Sequence, residues 1–265
     1  MEHERLSLAE FERRMSDAGY VILESLVENS IVDRLRTGLA DAFEIHRPIQ
    51  ERTGLGDATD GIVQHILEPG NCFVEFLDTN PAEEYIASYF GAPSIINTYC
   101  GLTNRKDLAK SAFFRNMHKD VRSFMGASPY MLNMMVMLDD FTLDNGATYL
   151  LHGSHKTADR PAEDNFFRSA DRALGAKGSV VLWNSDLWHA AGVNTTESPR
   201  RSLAITWTRP YLKQQFDYPR YLGYSYGEGL SDKLRQVLGY NARVPATLEE
   251  WYRPLEHRMY RAGQG

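Results

Sequence analysis

The chain has 265 residues, 43% of them hydrophobic and 24% charged, and a formal net charge of -6. This length suits one large domain with a substantial core, and the acidic balance argues against a dedicated nucleic-acid binder. Cys72 and Cys100 are too few for a disulfide framework, Met1 to Arg5 is charged rather than signal-like, and no apolar run would span a bilayer, so a cytoplasmic protein without a membrane partner is expected.

Ser7-Leu8-Ala9-Glu10 has the form of a capping box, and Leu8, Phe11 and Met15 follow at helical spacing up to Gly19. Tyr20 to Leu23 reads as a short buried strand. Ile31, Val32, Leu35, Leu39 and Phe43 mark a second amphipathic helix over about 29–43. The stretch from Pro48 to Gly70, with Thr53-Gly54-Leu55-Gly56-Asp57 inside it, lacks periodicity and predicts a long loop, a candidate lid. Asn80-Pro81 predicts the start of another helix, and Gly91 its end.

Beyond Gly91 the pattern changes to short apolar runs between turn residues. Strands are predicted over about 94–100, 112–120, 130–138, 147–151, 178–183, 188–193 and 201–208, with Asp144-Asn145-Gly146 as a turn. The tail predicts helix again, capped by Ser231 and Thr247. No internal repeat or linker divides the chain. One domain over 1–265 is expected, helical over about 1–92, β over about 93–212 and under a helical cover over about 213–265. The fold class is mainly β with flanking helices, as a sandwich or barrel.

The chemistry concentrates in Met117-His118-Lys119-Asp120. On an extended segment His118 and Asp120 share one face. His189, within Asp186-Leu187-Trp188-His189-Ala190-Ala191-Gly192, is the third candidate ligand. Two histidines and one carboxylate on one face of an ion, with positions left open, form the donor set of non-haem Fe(II) oxygenases. A His-x-Asp pair alone is weak evidence, so the surrounding order of motifs matters.

Gly19-Tyr20-Val21-Ile22-Leu23 precedes an amphipathic helix. Asp139-Asp140, Asn145-Gly146-Ala147 and Gly153-Ser154-His155 follow the pair, and Gly192, Asn194 and Arg200-Arg201-Ser202 follow His189. As an ensemble, from about Phe11 to Trp207, the chain resembles the phytanoyl-CoA dioxygenase family of Fe(II)/2-oxoglutarate oxygenases. The resemblance implies a double-stranded β-helix (jelly-roll) core and His118, Asp120 and His189 as iron ligands. It implies 2-oxoglutarate and O2 as co-substrates, ascorbate as an in vitro reductant, and Arg200 as the anchor of the distal carboxylate of 2-oxoglutarate. Strand alternation puts Arg200, Ser202 and Ala204 on one face and Arg201, Leu203, Ile205 and Trp207 on the other. That favours Arg200 over Arg201, with Ser202 as its hydroxyl helper. Asn133 shares a face with Met135 and Met137 and is a candidate contact to 2-oxoglutarate or substrate. Met117, Lys119 and His152 depart from the family pattern at positions that are not ligands.

The expected reaction is oxidation, foremost hydroxylation, of an unactivated C–H bond in a medium-sized, partly apolar small molecule of secondary metabolism. An amino-acid derivative or a CoA- or carrier-linked acyl group is the alternative substrate. A non-catalytic jelly-roll protein that binds a metal or ligand is the alternative of another class. Met131, Met134, Met135 and Met137 read as core filling or as an apolar substrate surface. Arg105, Lys106, Lys110, Arg115, Lys119 and Arg122 give their segment a positive bias, which leaves open a carboxylate or phosphate on the substrate. His65 is a further candidate for the pocket, and His155 a structural residue.

Overall fold

The computed structural model describes residues 5–108, 115–121, 123–126 and 128–264. Its larger sheet has the order β1 (Tyr20–Leu23), β7 (Val180–Asn184), β4 (Met131–Met137), β9 (Arg200–Thr208), β3 (Ile95–Asn104) and β2 (Ile62–Gln64). The smaller sheet has the order β6 (Asp171–Arg172), β5 (Tyr149–Leu150) and β8 (His189–Ala190). Every neighbouring pair is antiparallel.

Strand β4 explains the layering. Leu132, Met134 and Val136 join the core under the helices, while Met135 and Met137 pack with Val181, Trp183 and Leu150 between the sheets. Both faces are covered, so the strand is apolar on both sides apart from Asn133. The helices α1 (Leu8–Asp17), α2 (Asn29–Arg52) and α4 (Glu83–Phe90) pack on the outer face through Phe11, Leu35, Leu39 and Tyr85. Each such fully buried apolar side chain contributes about 1.5–3 kcal/mol. Ser7 Oγ accepts from the Glu10 N–H, as the capping box requires, and Gly91 ends α4 at φ +59°.

Several elements differ from the sequence reading. Helix α2 continues past Phe43 to Arg52, through Pro48. Its last turns expose Ile45 and Ile49, so no apolar stripe marks them. Arg47 donates to the Gly56 carbonyl and Gln50 to the Ile62 carbonyl, holding this end without a core. The predicted loop over 48–70 is therefore a helix end, a set of turns and the edge strand β2. Helices α3 (Cys72–Asp78), capped by Asn71, and α5 (Glu163–Ser169) are too short for a periodic signal. The helix expected at Asn80-Pro81 begins at Glu83, because Asn80 Oδ1 accepts from the Ala82 N–H in a turn.

Of the strand expected over 112–120, residues 112–114 lie outside the described residues. Residues 115–121 are irregular and pair only at His118. The expected helical tail has short helices α6 (Tyr218–Leu222), α7 (Asp232–Val237) and α8 (Leu248–Trp251). Gly223, Gly239 and Pro254 interrupt it. Ser231 and Thr247 do cap α7 and α8.

The Asn145-Gly146 turn clamps the two halves of the β core. Asn145 bridges to Asn194, Asn104 donates to the Gly192 carbonyl, and Asn194 donates to the Asn104 and Ser198 carbonyls. Gly146 has φ +79°, and a β-carbon there would run into the Gly192 carbonyl oxygen. Gly146→Ala is predicted to cost about 1–3 kcal/mol of stability, read by urea denaturation. An unchanged midpoint would contradict this role for the turn.

Candidate metal centre

His118 and His189 are joined by the backbone. Each N–H donates to the other's carbonyl at 3.0 Å, an isolated antiparallel bridge. The Asp120 N–H donates to the Ser185 carbonyl at 3.1 Å. This brings His118, Asp120 and His189 together, with one ligand atom from each lying within 4.8 Å of the other two. Asp120 Oδ1 is 3.6 Å from His118 Nε2, and its Oδ2 is 3.4 Å from His189 Nε2.

The two rings are held for ligation. His118 Nδ1 donates to the Asn116 carbonyl at 2.7 Å, and His189 Nδ1 to the Leu187 carbonyl at 3.0 Å. Both Nε2 lone pairs are then left facing the carboxylate, the tautomer that binds metal. Burial pushes the His189 imidazole down to about 4, which keeps it neutral at ordinary pH. Asn133 Nδ2 donates to Asp120 Oδ2 at 2.7 Å and to Ser185 Oγ at 2.9 Å. Both amide protons of Asn133 are thus committed, so this residue, a candidate contact to 2-oxoglutarate or substrate in the sequence reading, lines the cavity and positions Asp120.

Arg200 lines the same cavity as the triad. It is 2% exposed, stacks at 4.1 Å over the Phe141 ring, and leaves Nε and Nη1 without hydrogen-bond partners among the described residues. Burial, and then Arg172 nearby, push its guanidinium down to about 9, still charged at neutral pH. Arg201 lies on the opposite face of β9 and is neutralised. Its Nη1 is 3.2 Å from Asp139 Oδ1, and its backbone N–H donates to Asp139 Oδ2 at 2.7 Å. Ser202 is fully buried between its strand neighbours Leu102 and Met137, with an unpartnered hydroxyl, and does not line the cavity.

The other sequence candidates sort differently. His65 turns away from the cavity, stacking on Phe216 and pairing through Nδ1 with the Tyr218 hydroxyl at 3.0 Å. His155 is buried against Gly19. Most of the basic segment is engaged. Arg105 pairs with Asp60 and Lys106 with Glu197, whereas Lys110 and Arg122 lie outside the described residues. Sequence reasoning missed Thr98, Thr206 and the rim residues Gln64 and Gln215, all of which line the cavity. Extending the β9 alternation would have found Thr206.

Lys119, between two of the candidate ligands, has a structural task. Its Nζ lies 3.6 Å from Asp186 Oδ1 and donates to the Thr157 carbonyl at 2.8 Å; the two charged side chains are 9% and 4% exposed. Asp186 precedes His189 by one turn, so this pair ties both ligand-bearing segments together. Burial pushes the lysine down and the aspartate up. Lys119→Met would leave Asp186 buried and unpaired, at a predicted cost of about 3–5 kcal/mol by chemical denaturation. Adding Asp186→Leu should recover part of that loss. A double variant no more stable than the single one would contradict the pairing.

Known proteins place this arrangement. A family model described as phytanoyl-CoA dioxygenase (PhyH) matches residues 15–202. A Mycobacterium tuberculosis protein, Rv1501, is 28% identical over 266 residues, covering 98% of this chain and 96% of its own length. The dioxygenase FUM3 of Gibberella moniliformis is 28% identical over 117 residues, covering 43% of this chain and 37% of its own. The crystal structure of AviO1 from Streptomyces viridochromogenes superposes with TM-score 0.59 at 19% identity, over 79% of this chain and 98% of that one. SnoK, a non-haem α-ketoglutarate-dependent carbocyclase from nogalamycin biosynthesis, superposes with TM-score 0.60 at 19% identity, over 77% of this chain and 85% of that one. These structural likenesses carry the jelly-roll fold. The family match covers more than half of the chain, which therefore belongs to the phytanoyl-CoA dioxygenase family of non-haem iron, 2-oxoglutarate-dependent oxygenases.

Proposed function

We propose that this enzyme oxidises, foremost hydroxylates, an unactivated C–H bond in a medium-sized, partly apolar small molecule of secondary metabolism, with residues 1–265 acting as one oxygenase domain. The observation that carries this reading is Arg200, a buried guanidinium with unpartnered nitrogens facing the same cavity as the triad. An uncompensated buried charge is costly, and a planar guanidinium matches a carboxylate. The second carboxylate of 2-oxoglutarate is the anion that suits this position.

The donor set fits iron. His118, Asp120 and His189 would hold Fe(II), and Arg200 would hold the far carboxylate of 2-oxoglutarate. When bound, the iron and 2-oxoglutarate supply the activation of O2 that drives substrate oxidation. The chain's own residues do the positioning. The Asn116 and Leu187 carbonyls fix the imidazoles, and Asn133 fixes one oxygen of Asp120. Ala191 and Ala204 leave room in the cavity that Arg200 lines. Ile62, Leu102, Met131 and Met135 present apolar walls that favour a hydrocarbon frame and exclude water. Free Cys72 and Cys100 suit a reducing, cytoplasmic setting, and ascorbate would keep the iron ferrous in vitro.

Anaerobic titration of 2-oxoglutarate into the Fe(II)-loaded protein tests this reading. Arg200→Ala should weaken 2-oxoglutarate by about 100-fold or more, because it removes one partner of a buried charge pair. Arg201→Ala should change affinity less than about threefold, since Arg201 serves Asp139. Equal losses in the two variants would overturn the assignment of Arg200.

A further inference from the structure

A chain of hydrogen bonds runs from the metal centre across the cavity wall. Thr98 Oγ1 lies 3.0 Å from Thr206 Oγ1, Thr206 Oγ1 lies 2.8 Å from Asn133 Oδ1, and Asn133 Nδ2 lies 2.7 Å from Asp120 Oδ2. The donor inventory fixes its direction. The Asp120 carboxylate accepts only, so the Asn133 amide must turn its N–H groups there. Its oxygen then faces Thr206, which must donate. The single hydroxyl proton of Thr206 is thereby used, so Thr98 must donate to Thr206. Thr98, at the far end, is left with lone pairs alone.

The strand is built to make this contact. Pairing of β3 with β9 slips between Ile96 and Thr98, so that Ile96 faces Trp207 and Thr98 faces Thr206. Without the bulge, Asn97 would oppose Thr206. A bulge beside a site is a device for re-aiming a side chain. Thr98 is half-buried and lines the cavity, as do the exposed amides of Gln64 and Gln215 at its rim. Cys100 beside it is a weak donor whose thiol burial pushes up to about 12, so it carries no charge. Among the described residues, the fixed charges on the cavity wall are Asp120 and Arg200, both committed in the proposed function.

We infer that Thr98 is a specificity-determining residue: it accepts a hydrogen bond from a hydroxyl or N–H group of an uncharged substrate, and its chain to Asp120 couples that contact to the metal carboxylate. This rests on the proposed reading of the site, and the test separates the two. Co(II) replaces iron, and its visible spectrum reports the ligand field. Asn133→Leu should lower Co(II) affinity by about tenfold or more, with Thr206→Val and then Thr98→Val giving smaller shifts of the same band, and Thr98→Ser matching the wild type.

The second arm uses cyclohexanol, methoxycyclohexane and cyclohexanecarboxylate as probes of the Co(II) protein, with and without 2-oxoglutarate. Cyclohexanol, which can donate, should bind the wild type about fivefold tighter than the methyl ether, which cannot. Thr98→Val should abolish that ratio and Thr98→Ser should keep it. The inference is overturned if Thr98→Val keeps the ratio, if cyclohexanol gives no response, or if the carboxylate binds tightest with 2-oxoglutarate present. Failure of 2-oxoglutarate to bind the wild type would sink the proposed function instead, while the probes on the Co(II) protein alone would still judge Thr98.

Discussion

Two backbone hydrogen bonds between His118 and His189 set the geometry on which the rest of the site depends. They are one rung of a β ladder, formed by a segment that is otherwise irregular. The rung fixes how far apart the imidazoles can be, and carbonyls on each segment then fix which nitrogen faces inward. Strand β8 holds the rung from one side through its pairing with β5. The Lys119–Asp186 pair and the bond from Asp120 to Ser185 hold it from the other. A ligand set built this way owes its shape to backbone pairing, which tolerates side-chain change away from the three donors.

The second constraint is the sorting of charge by the two faces of β9. Arg201 faces Asp139 and is neutralised there, while Arg200 faces the cavity and, among the described residues, pairs with no carboxylate. Leaving a charge in that state opposes folding by several kcal/mol. The apolar layers on both sides of the larger sheet offset it, since β4 and β7 bury residues toward the helices and toward the smaller sheet alike. Stability is thus given up locally at the place where a ligand of opposite charge would restore it, a pattern expected of binding sites. The same face of β9 carries Thr206, which meets Thr98 of β3 across the bulge, so the anchor proposed for the anion and the support of the contact proposed for the substrate share that face.

Much of this was legible in the sequence where a signal is periodic or local. Alternation in β9 separated Arg200 from Arg201, and alternation in β4 put Asn133, Met135 and Met137 on one face, which in the structure is the inner one. The caps at Ser7, Ser231 and Thr247 were readable because capping is a matter of a few adjacent residues. Features set by distant partners were not. The end of α2 shows no apolar stripe because it faces solvent. Residues 115–121 lack a strand pattern because a single rung orders them. Lys119 finds Asp186 only after the fold closes. Thr98 meets Thr206 through a bulge, and a bulge breaks the period-two rule on which the reading relied. The Asn145-Gly146 and Asn194 motifs, which belong to the family resemblance, turn out to tie backbone to backbone instead of touching the cavity.

The central claim is that one cavity holds iron on three side chains and 2-oxoglutarate on Arg200. An anaerobic crystal structure with Fe(II) and 2-oxoglutarate tests it most directly. The account predicts iron at about 2.0–2.2 Å from His118 Nε2, an Asp120 oxygen and His189 Nε2, with the far carboxylate of 2-oxoglutarate paired in a fork to Arg200. Iron bound elsewhere, or that carboxylate turned toward the Gln64 and Gln215 rim with Arg200 still unpartnered, would contradict it.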